Sequence, residues 1–312
     1  MTTIPPPKRV LITGGSGLLA LNWACRMRGE CEVYLARHVR DIRLRGARVV
    51  PLELESVDNL LRRLEEYRPE WIVHTAGITN VDQCEREPGK AREANAVLAR
   101  NIASASARLG LRLIHLSTDH LFAGTRPLYQ EDDAPEPLNE YAKTKLLAEQ
   151  WVTQAHPGAL VIRTNFFGWG HAARRSFSDW IYYSLRGGEA LTLFDDVFFT
   201  PILADRLAVA AHRLLEQGSS GVFNVVGDER LSKYEFAARL ARAFQLPEAL
   251  VRHGNIRDAR LLAKRPPDMS LDNAKARLRL GASLGDTAEF LRELRRQDKD
   301  GLRGELLAAI AE

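Results

Sequence analysis

The sequence predicts an α/β protein: a doubly wound parallel sheet with helices on both faces, joined to a smaller, discontinuous C-terminal domain. Three observations predict it. Strand-like and helix-like runs alternate through the first half, a glycine turn follows the first strand directly, and the rhythm loosens beyond Thr164 before one further strand-like run. The 312 residues are 45% hydrophobic and 27% charged, enough apolar material for a sizeable core and too little bias for a disordered or fibrous chain.

After the lead Pro5-Pro6-Pro7, the run Lys8 to Thr13 reads as a strand that stops at Gly14-Gly15-Ser16-Gly17. Leu18 to Arg28 reads as a helix and Cys31 to Ala36 as the second strand. The pattern repeats: a strand from Arg48 to Leu54, a helix from Ser56 to Tyr67 with Leu60, Leu61, Leu64 and Tyr67 on one stripe, and a strand from Trp71 to Thr75. Leu98 to Leu109 reads as a helix and Leu111 to Ser117 as a strand. Parallel strands need crossovers of about a dozen residues, which these helices supply. Later, Phe166 to Gly170 is rich in aromatics and glycine, Phe194 to Pro201 is loop-like, and Gly221 to Val226 reads as one more strand of the main sheet. Ser232 and Glu235 have capping-box spacing before a helix running to about Gln245.

Charge and cysteines narrow the function classes. Lys plus Arg total 44 against 40 Asp plus Glu, a net +4, far from the excess expected of a protein coating nucleic acid or an anionic membrane. No apolar run approaches the ~20 residues needed to cross a bilayer, and the N-terminus lacks the basic-then-apolar pattern of an export signal. Cys25, Cys31 and Cys84 are odd in number and lack CxxC spacing, so a reducing cytoplasm is expected, without disulfides or a cysteine zinc site. The histidines show no metal-ligand spacing, and no metal is expected.

In such a sheet, ligands sit at the carboxyl ends of the strands. Gly14, Gly17 and Ala20 follow a G-x-x-G-x-x-A pattern where the first strand gives way to a helix. Glycine allows the tight turn and the close approach of a pyrophosphate, whose charge the helix N-terminus stabilises, so the turn reads as the dinucleotide site of a Rossmann-type fold. About 20 residues on, where a carboxylate would hold the 2′-hydroxyl of NAD, stand Arg37 and His38, with Arg40 and Arg43 close by. A guanidinium suits the 2′-phosphate of NADP, which favours NADP over NAD. A solvated basic loop fits the same residues, because Arg45 and Arg48 continue the charge run.

Tyr141 and Lys145 are four apart, on one face of a helix that continues through Trp151. An ammonium near a phenol favours phenolate and lowers its pKa, making the pair able to exchange a proton with a carbonyl or alcohol. Ser117-Thr118-Asp119 ends a strand some twenty residues upstream and offers a hydroxyl to the reacting oxygen, or a simple turn cap.

With these residues in place, the chain resembles the extended short-chain dehydrogenases/reductases along essentially its whole length, and within them the dTDP-4-dehydrorhamnose reductases. The segments that carry the resemblance are Leu11 to Gly17, His74 to Gly77, Val81 to Glu85 with Glu87-Pro88, Asn95-Ala96, Ser117 to Gly124, Tyr141 to Lys145 with Glu149, Arg163-Thr164, Asp195-Asp196, Thr200-Pro201 with Asp205, Arg265-Pro266 and Ser270 to Lys275. The resemblance implies a Thr118, Tyr141, Lys145 triad: Tyr141 protonates a carbonyl oxygen as a nicotinamide delivers hydride to its carbon, Lys145 holds the nicotinamide ribose, and Thr118 orients the carbonyl. It implies a cofactor lying along Gly14, Ser16, Gly17, Leu18 and Leu19, with Arg37, Glu53, Leu54, Ala76, Gly77 and Asn95 around it. For the substrate, a sugar nucleotide, it implies Thr79, Asp119, His120, Asn165, Phe166 and Arg265; a surface ion pair is the other reading of Arg265. It also implies a dinucleotide-binding domain over residues 1–165 and about 195–226, a substrate domain over about 166–194 and 227–312, and a homodimer as a possible assembly.

The sequence departs from the family at His120, where the reductases carry an aromatic and the sugar-nucleotide 4,6-dehydratases a Glu, and at Ala123 and Asn165 to Trp169. These positions face the expected sugar. The expected activity is NAD(P)H-dependent reduction of a 4-keto-6-deoxy sugar nucleotide. The alternatives are C4 epimerisation on the same scaffold and a non-catalytic role like that of the regulatory subunit of methionine adenosyltransferase.

Overall fold

A computed structural model describes residues 8–310; the Pro5 to Pro7 lead lies outside the described residues. The first half builds β1 (Arg9–Thr13), α1 (Leu18–Met27), β2 (Glu32–Arg37), β3 (Ala47–Pro51), α2 (Val57–Tyr67) and β4 (Trp71–His74). After β4 come the short helices α3 (Val81–Arg86) and α4 (Pro88–Arg92), a π-helical turn (Glu93–Val97), α5 (Leu98–Arg108), β5 (Arg112–Leu116), α6 (Glu140–Ala155) and β6 (Leu160–Arg163). Four short strands β7 (Phe166–Phe167), β8 (Leu191–Phe194), β9 (Phe198–Phe199) and β10 (Ile202–Leu203), with helices α7 (Phe177–Arg186) and α8 (Ala204–Glu216), precede β11 (Gly221–Asn224).

Seven strands form one parallel sheet in the order β3-β2-β1-β4-β5-β6-β11. The order reverses between β1 and β4, and a crevice opens at such a switch point. Period-two alternation along each strand feeds two cores. Val10, Ile12, Val73 and Ile162 point to the face covered by α1 and α8; Leu11, Ile72, Leu113 and Val161 point to the face covered by α2, α5 and α6. On the first face the fully buried Trp23 donates its indole N–H to His212 Nε2 at 2.9 Å, so the largest ring of α1 also satisfies a buried imidazole of α8.

Outside the sheet, β7 pairs β10, β9 pairs β12 (Leu231–Ser232) and β8 pairs β13 (Val251–Gly254). Phe236 of α9 (Lys233–Phe244) packs against Phe167, Phe177 and Phe199 at ring distances of 4.9, 5.7 and 5.6 Å, which joins these small ladders into one apolar cluster. The expected capping box opens α9: Ser232 Oγ accepts from Glu235 N at 3.1 Å and Ser232 N donates to Glu235 Oε2 at 2.7 Å. Between Thr164 and Gly221, where the sequence shows only a loosened rhythm, the structure has α7 and α8. The buried stripe of α8 includes Ala204, Ala208 and Ala211, too small to stand out as an apolar period. No helix among the described residues is long and apolar enough to cross a membrane, and all three cysteines are free.

Candidate active site

A cleft of about 550 Å³ opens at the carboxyl ends of β1, β2 and β4. Its floor is the glycine turn. Gly14 has φ +66°, and a Cβ there would stand 2.9 Å from Ala76 Cα, so only glycine fits both the backbone angle and the approach of the next strand's loop. Gly17 is the N-cap of α1 and offers no side-chain cap, leaving first-turn N–H groups of that helix open to an anion. Gly14, Ser16, Gly17, Leu18, Leu19, Leu54, Ala76, Gly77, Thr79 and Phe166 all line the cleft.

Of the expected cofactor residues, Tyr141 and Lys145 lie beside the cleft and off its lining, and Arg37, Glu53 and Asn95 stand elsewhere. Arg37 Nη1 is bound to Asp41 at 2.9 Å, and the basic residues on the lining are His38 and Arg40. Glu53 is exposed, because strand-like alternation turns it away while Leu52 and Leu54 face in. Asn95 is buried behind the wall: its Oδ1 accepts from Ile78 N at 2.7 Å and its Nδ2 donates to Ile78 O at 3.1 Å and to Thr144 Oγ1 at 3.0 Å. It thereby ties the loop after β4 to α6. Leu52, Thr75, Ile78 and Arg174 also line the cleft and were not singled out in the sequence; for Leu52 the alternation with Leu54 was the available signal.

Beside this cleft, α6 begins at its N-cap Asn139, whose Oδ1 accepts from Ala142 N at 2.9 Å. That cap fixes the helix phase which puts Tyr141 and Lys145 on one buried face. Tyr141 packs with Ile78, Val81, Cys84 and Ala91, so the residues behind the cleft wall also hold the phenol ring. Thr118 follows β5; its hydroxyl donates to Asp119 Oδ1 at 3.2 Å.

The sequence reading had Lys145 depressing the phenol, and the structure corrects it. Burial pushes Tyr141 up to about 12, with the Thr118 hydroxyl pulling the other way. Burial also brings the Lys145 ammonium down to about 8, and its Nζ donates to Leu116 O at 2.6 Å, toward the end of β5. Below Lys145, His74 and His115 stack at 5.4 Å, and His74 Nδ1 bonds the Thr13 hydroxyl at 2.8 Å. Burial first, and the Lys145 charge second, hold both imidazoles neutral, His74 near 3 and His115 well below its ordinary value.

On the substrate side, Asn165 donates to Asp119 Oδ2, which holds both residues at the ends of β5 and β6. His120 meets Tyr141 edge-on at 5.6 Å and 82°, with its buried Nδ1 unpartnered among the described residues. Arg265 donates to Asp82 at 2.9 Å and to the Ala263 carbonyl at 2.8 Å, the ion-paired arrangement that was its other reading.

Residues 8–297 match the family model described as the RmlD substrate binding domain. The chain is 27% identical to the probable low-salt glycan biosynthesis reductase Agl14 of Haloferax volcanii, over 87% of this chain and 92% of that protein. It is 31% identical to methionine adenosyltransferase 2 subunit beta of Rattus norvegicus, over 86% of this chain and 82% of that one. In structure it is similar to a dTDP-4-dehydrorhamnose reductase from Bacillus anthracis crystallised with NADP, at a TM-score of 0.81 and 25% identity, covering 93% of this chain and 99% of that one.

Proposed function

Because the chain belongs to the RmlD substrate binding domain family, within the extended short-chain dehydrogenases/reductases, we propose that it is a nicotinamide-dependent reductase of a 4-keto-6-deoxy sugar nucleotide. The observation that carries this reading is a cleft whose floor is a glycine turn under an uncapped helix, with Tyr141 and Lys145 on the buried face of α6 beside it and Tyr141 packed on Ile78 of its wall. The residues present fit a dinucleotide. Gly14 and Gly77 line the cleft at positive φ, where a Cβ would strike Ala76 and Asn95, so the wall stays bare backbone, and the uncapped N-terminus of α1 would meet a pyrophosphate lying on it.

A nicotinamide dinucleotide held in this cleft supplies the hydride. The chain's own work is the proton. At neutral pH the Tyr141 phenol is fully protonated, so it serves as the acid: its O–H bond breaks as a new O–H bond forms on the substrate's former carbonyl oxygen, leaving phenolate. Lys145, one helical turn along, keeps its ammonium below about pH 8 and contributes positive charge behind the site as that phenolate forms. The Thr118 hydroxyl orients the reacting oxygen. NADP is the preferred dinucleotide in this reading, with Arg40 and His38, which line the cleft just beyond β2, meeting the 2′-phosphate in place of Arg37.

The test is to incubate the purified full chain with NADPH or NADH and a panel of keto-sugar nucleotides, following nicotinamide absorbance. Oxidation of NADPH matched by appearance of the hydroxy sugar is expected; turnover of no member of the panel would overturn the reading. A non-catalytic subunit is the second reading, favoured by the 31% identity to methionine adenosyltransferase 2 subunit beta. Dinucleotide binding without any turnover would select it.

A further inference from the structure

We propose that Arg174 is an anion-binding residue for a diphosphate ester, presented to the cleft by a preformed hairpin spanning Gly170 to Ser176; the inference rests on the functional reading above. The hairpin is clamped at its base. Asp179 Oδ2 accepts from Gly170 N at 2.6 Å and from Ser176 N at 2.8 Å, one carboxylate oxygen closing both ends of the loop. Across it, His171 N donates to Arg174 O at 3.1 Å and Arg174 N donates to His171 O at 2.9 Å. A Cβ on Gly170 would lie 2.4 Å from Arg174 O, so the tight closure requires glycine there. His171, fully buried, seats the loop beside the Ser16 backbone of the glycine turn.

The hairpin's one cleft-lining side chain is Arg174. Its guanidinium crosses to Thr79 on the opposite wall and bonds that hydroxyl, its one side-chain hydrogen bond among the described residues. Partial burial above all, and the nearby Arg40 guanidinium, work against its charge while the Tyr141 phenol favours it, and no carboxylate is among the groups that act on it. The cleft does carry Glu55 and Glu93, but neither is ion-paired to Arg174. A guanidinium held on a rigid loop, satisfied by a single neutral hydroxyl, next to an uncapped helix N-terminus and a second guanidinium, matches the bidentate geometry and charge of a phosphate pair. Two ligands of the proposed reaction carry that chemistry: the dinucleotide pyrophosphate and the diphosphate of the sugar nucleotide.

The test is calorimetric titration of the full chain, wild type against Arg174→Ala and Arg174→Lys, with NADPH, NADH, dTDP and UDP as separate probes. The side chain is exposed and the hairpin is held by backbone, so both variants keep the wild-type melting temperature. Arg174→Ala weakens one class of diphosphate by roughly 10- to 100-fold, and Arg174→Lys by less. An equal loss for NADPH and NADH with dTDP and UDP unchanged assigns the cofactor pyrophosphate; loss for dTDP and UDP alone assigns the sugar nucleotide. Loss for NADPH without NADH points to the 2′-phosphate monoester and overturns the proposal, as does unchanged binding of all four. If the wild-type chain binds no dinucleotide at all, the functional reading fails first and this inference with it.

Discussion

Lowering the pH from 7.5 to 5.5 is predicted to strip several kcal/mol from the fold, through histidines far from any surface. His74, His115 and His212 are 1%, 1% and 4% exposed, and burial holds all three below their ordinary pKa, His74 near 3 and His212 near 4. In the unfolded chain each takes up a proton near pH 6.5; in the folded protein it does not until far lower pH. The unfolded state therefore binds more protons below pH 6.5, so stability is complete above that value and falls as pH drops. One pH unit below 6.5 this costs about 1.4 kcal/mol for each histidine, about 4 kcal/mol for the three. Asp205 opposes the trend: burial raises it to about 6, so it gains a proton in the folded state and gives back about 1 kcal/mol by pH 5.5. These four groups together lose about 3 kcal/mol, and His120 and His171, also held below their ordinary values by burial, act in the same direction; the loss is read as a shift of the urea midpoint between pH 7.5 and 5.5. His115, whose two ring nitrogens have no partner among the described residues, isolates the cause. His115→Phe keeps a ring of similar shape and removes this histidine's share of the pH dependence, on the order of 1 kcal/mol. A midpoint that does not move between the two pH values, or a His115→Phe chain with the full wild-type pH dependence, refutes the reasoning.

Other perturbations follow from the site and its supports. Tyr141→Phe keeps the buried ring and loses the acid, so turnover falls by roughly 10²- to 10⁴-fold while NADPH binding by fluorescence titration stays at the wild-type value; joint loss of both contradicts the assigned role. Arg40→Ala weakens NADPH about tenfold more than NADH, whereas Arg37→Ala, already committed to Asp41, has the smaller effect. Equal effects on the two dinucleotides, measured by the same titration, remove Arg40 from the 2′-phosphate. Glu149→Ala leaves Arg163, 4% exposed and bonded to Glu149 at 2.8 and 3.0 Å, as an unpaired buried charge. Denaturation should then show a loss of about 3 to 5 kcal/mol, and a loss below 1 kcal/mol would mean that water reaches the pair.

The parallel sheet and its glycine turn were legible because short-range pattern carries them: Val10, Leu11 and Ile12 alternate between two cores, and Gly14 sits where only a positive φ will do. The helical phase that pairs Tyr141 with Lys145 was legible for the same reason. What spacing could not give was tertiary. Arg37 and Arg40 are equally basic in sequence, and only the fold shows that Arg40 lines the cleft while Arg37 lies off it beside Asp41. Arg265 is taken by Asp82, a residue 183 positions away. The direction of the Tyr141 shift depends on how dry its surroundings are, and those come from Ile78, Val81, Cys84 and Ala91, all brought in by the loop and short helices after β4. Arg174 lies in a stretch without a periodic signal, and the Asp179 clamp and the His171–Arg174 backbone pair that build its hairpin are visible only in the fold.

β11 has a bearing on how the chain is made. It is the outermost strand of the sheet and pairs with β6, yet some sixty residues of other structure separate the two in the chain. During synthesis β6 therefore keeps an unpaired edge until the ribosome has passed Asn224, and such an edge is open to mispairing with other nascent chains. Cutting the chain after Arg163 would therefore leave the sheet without its outermost strand.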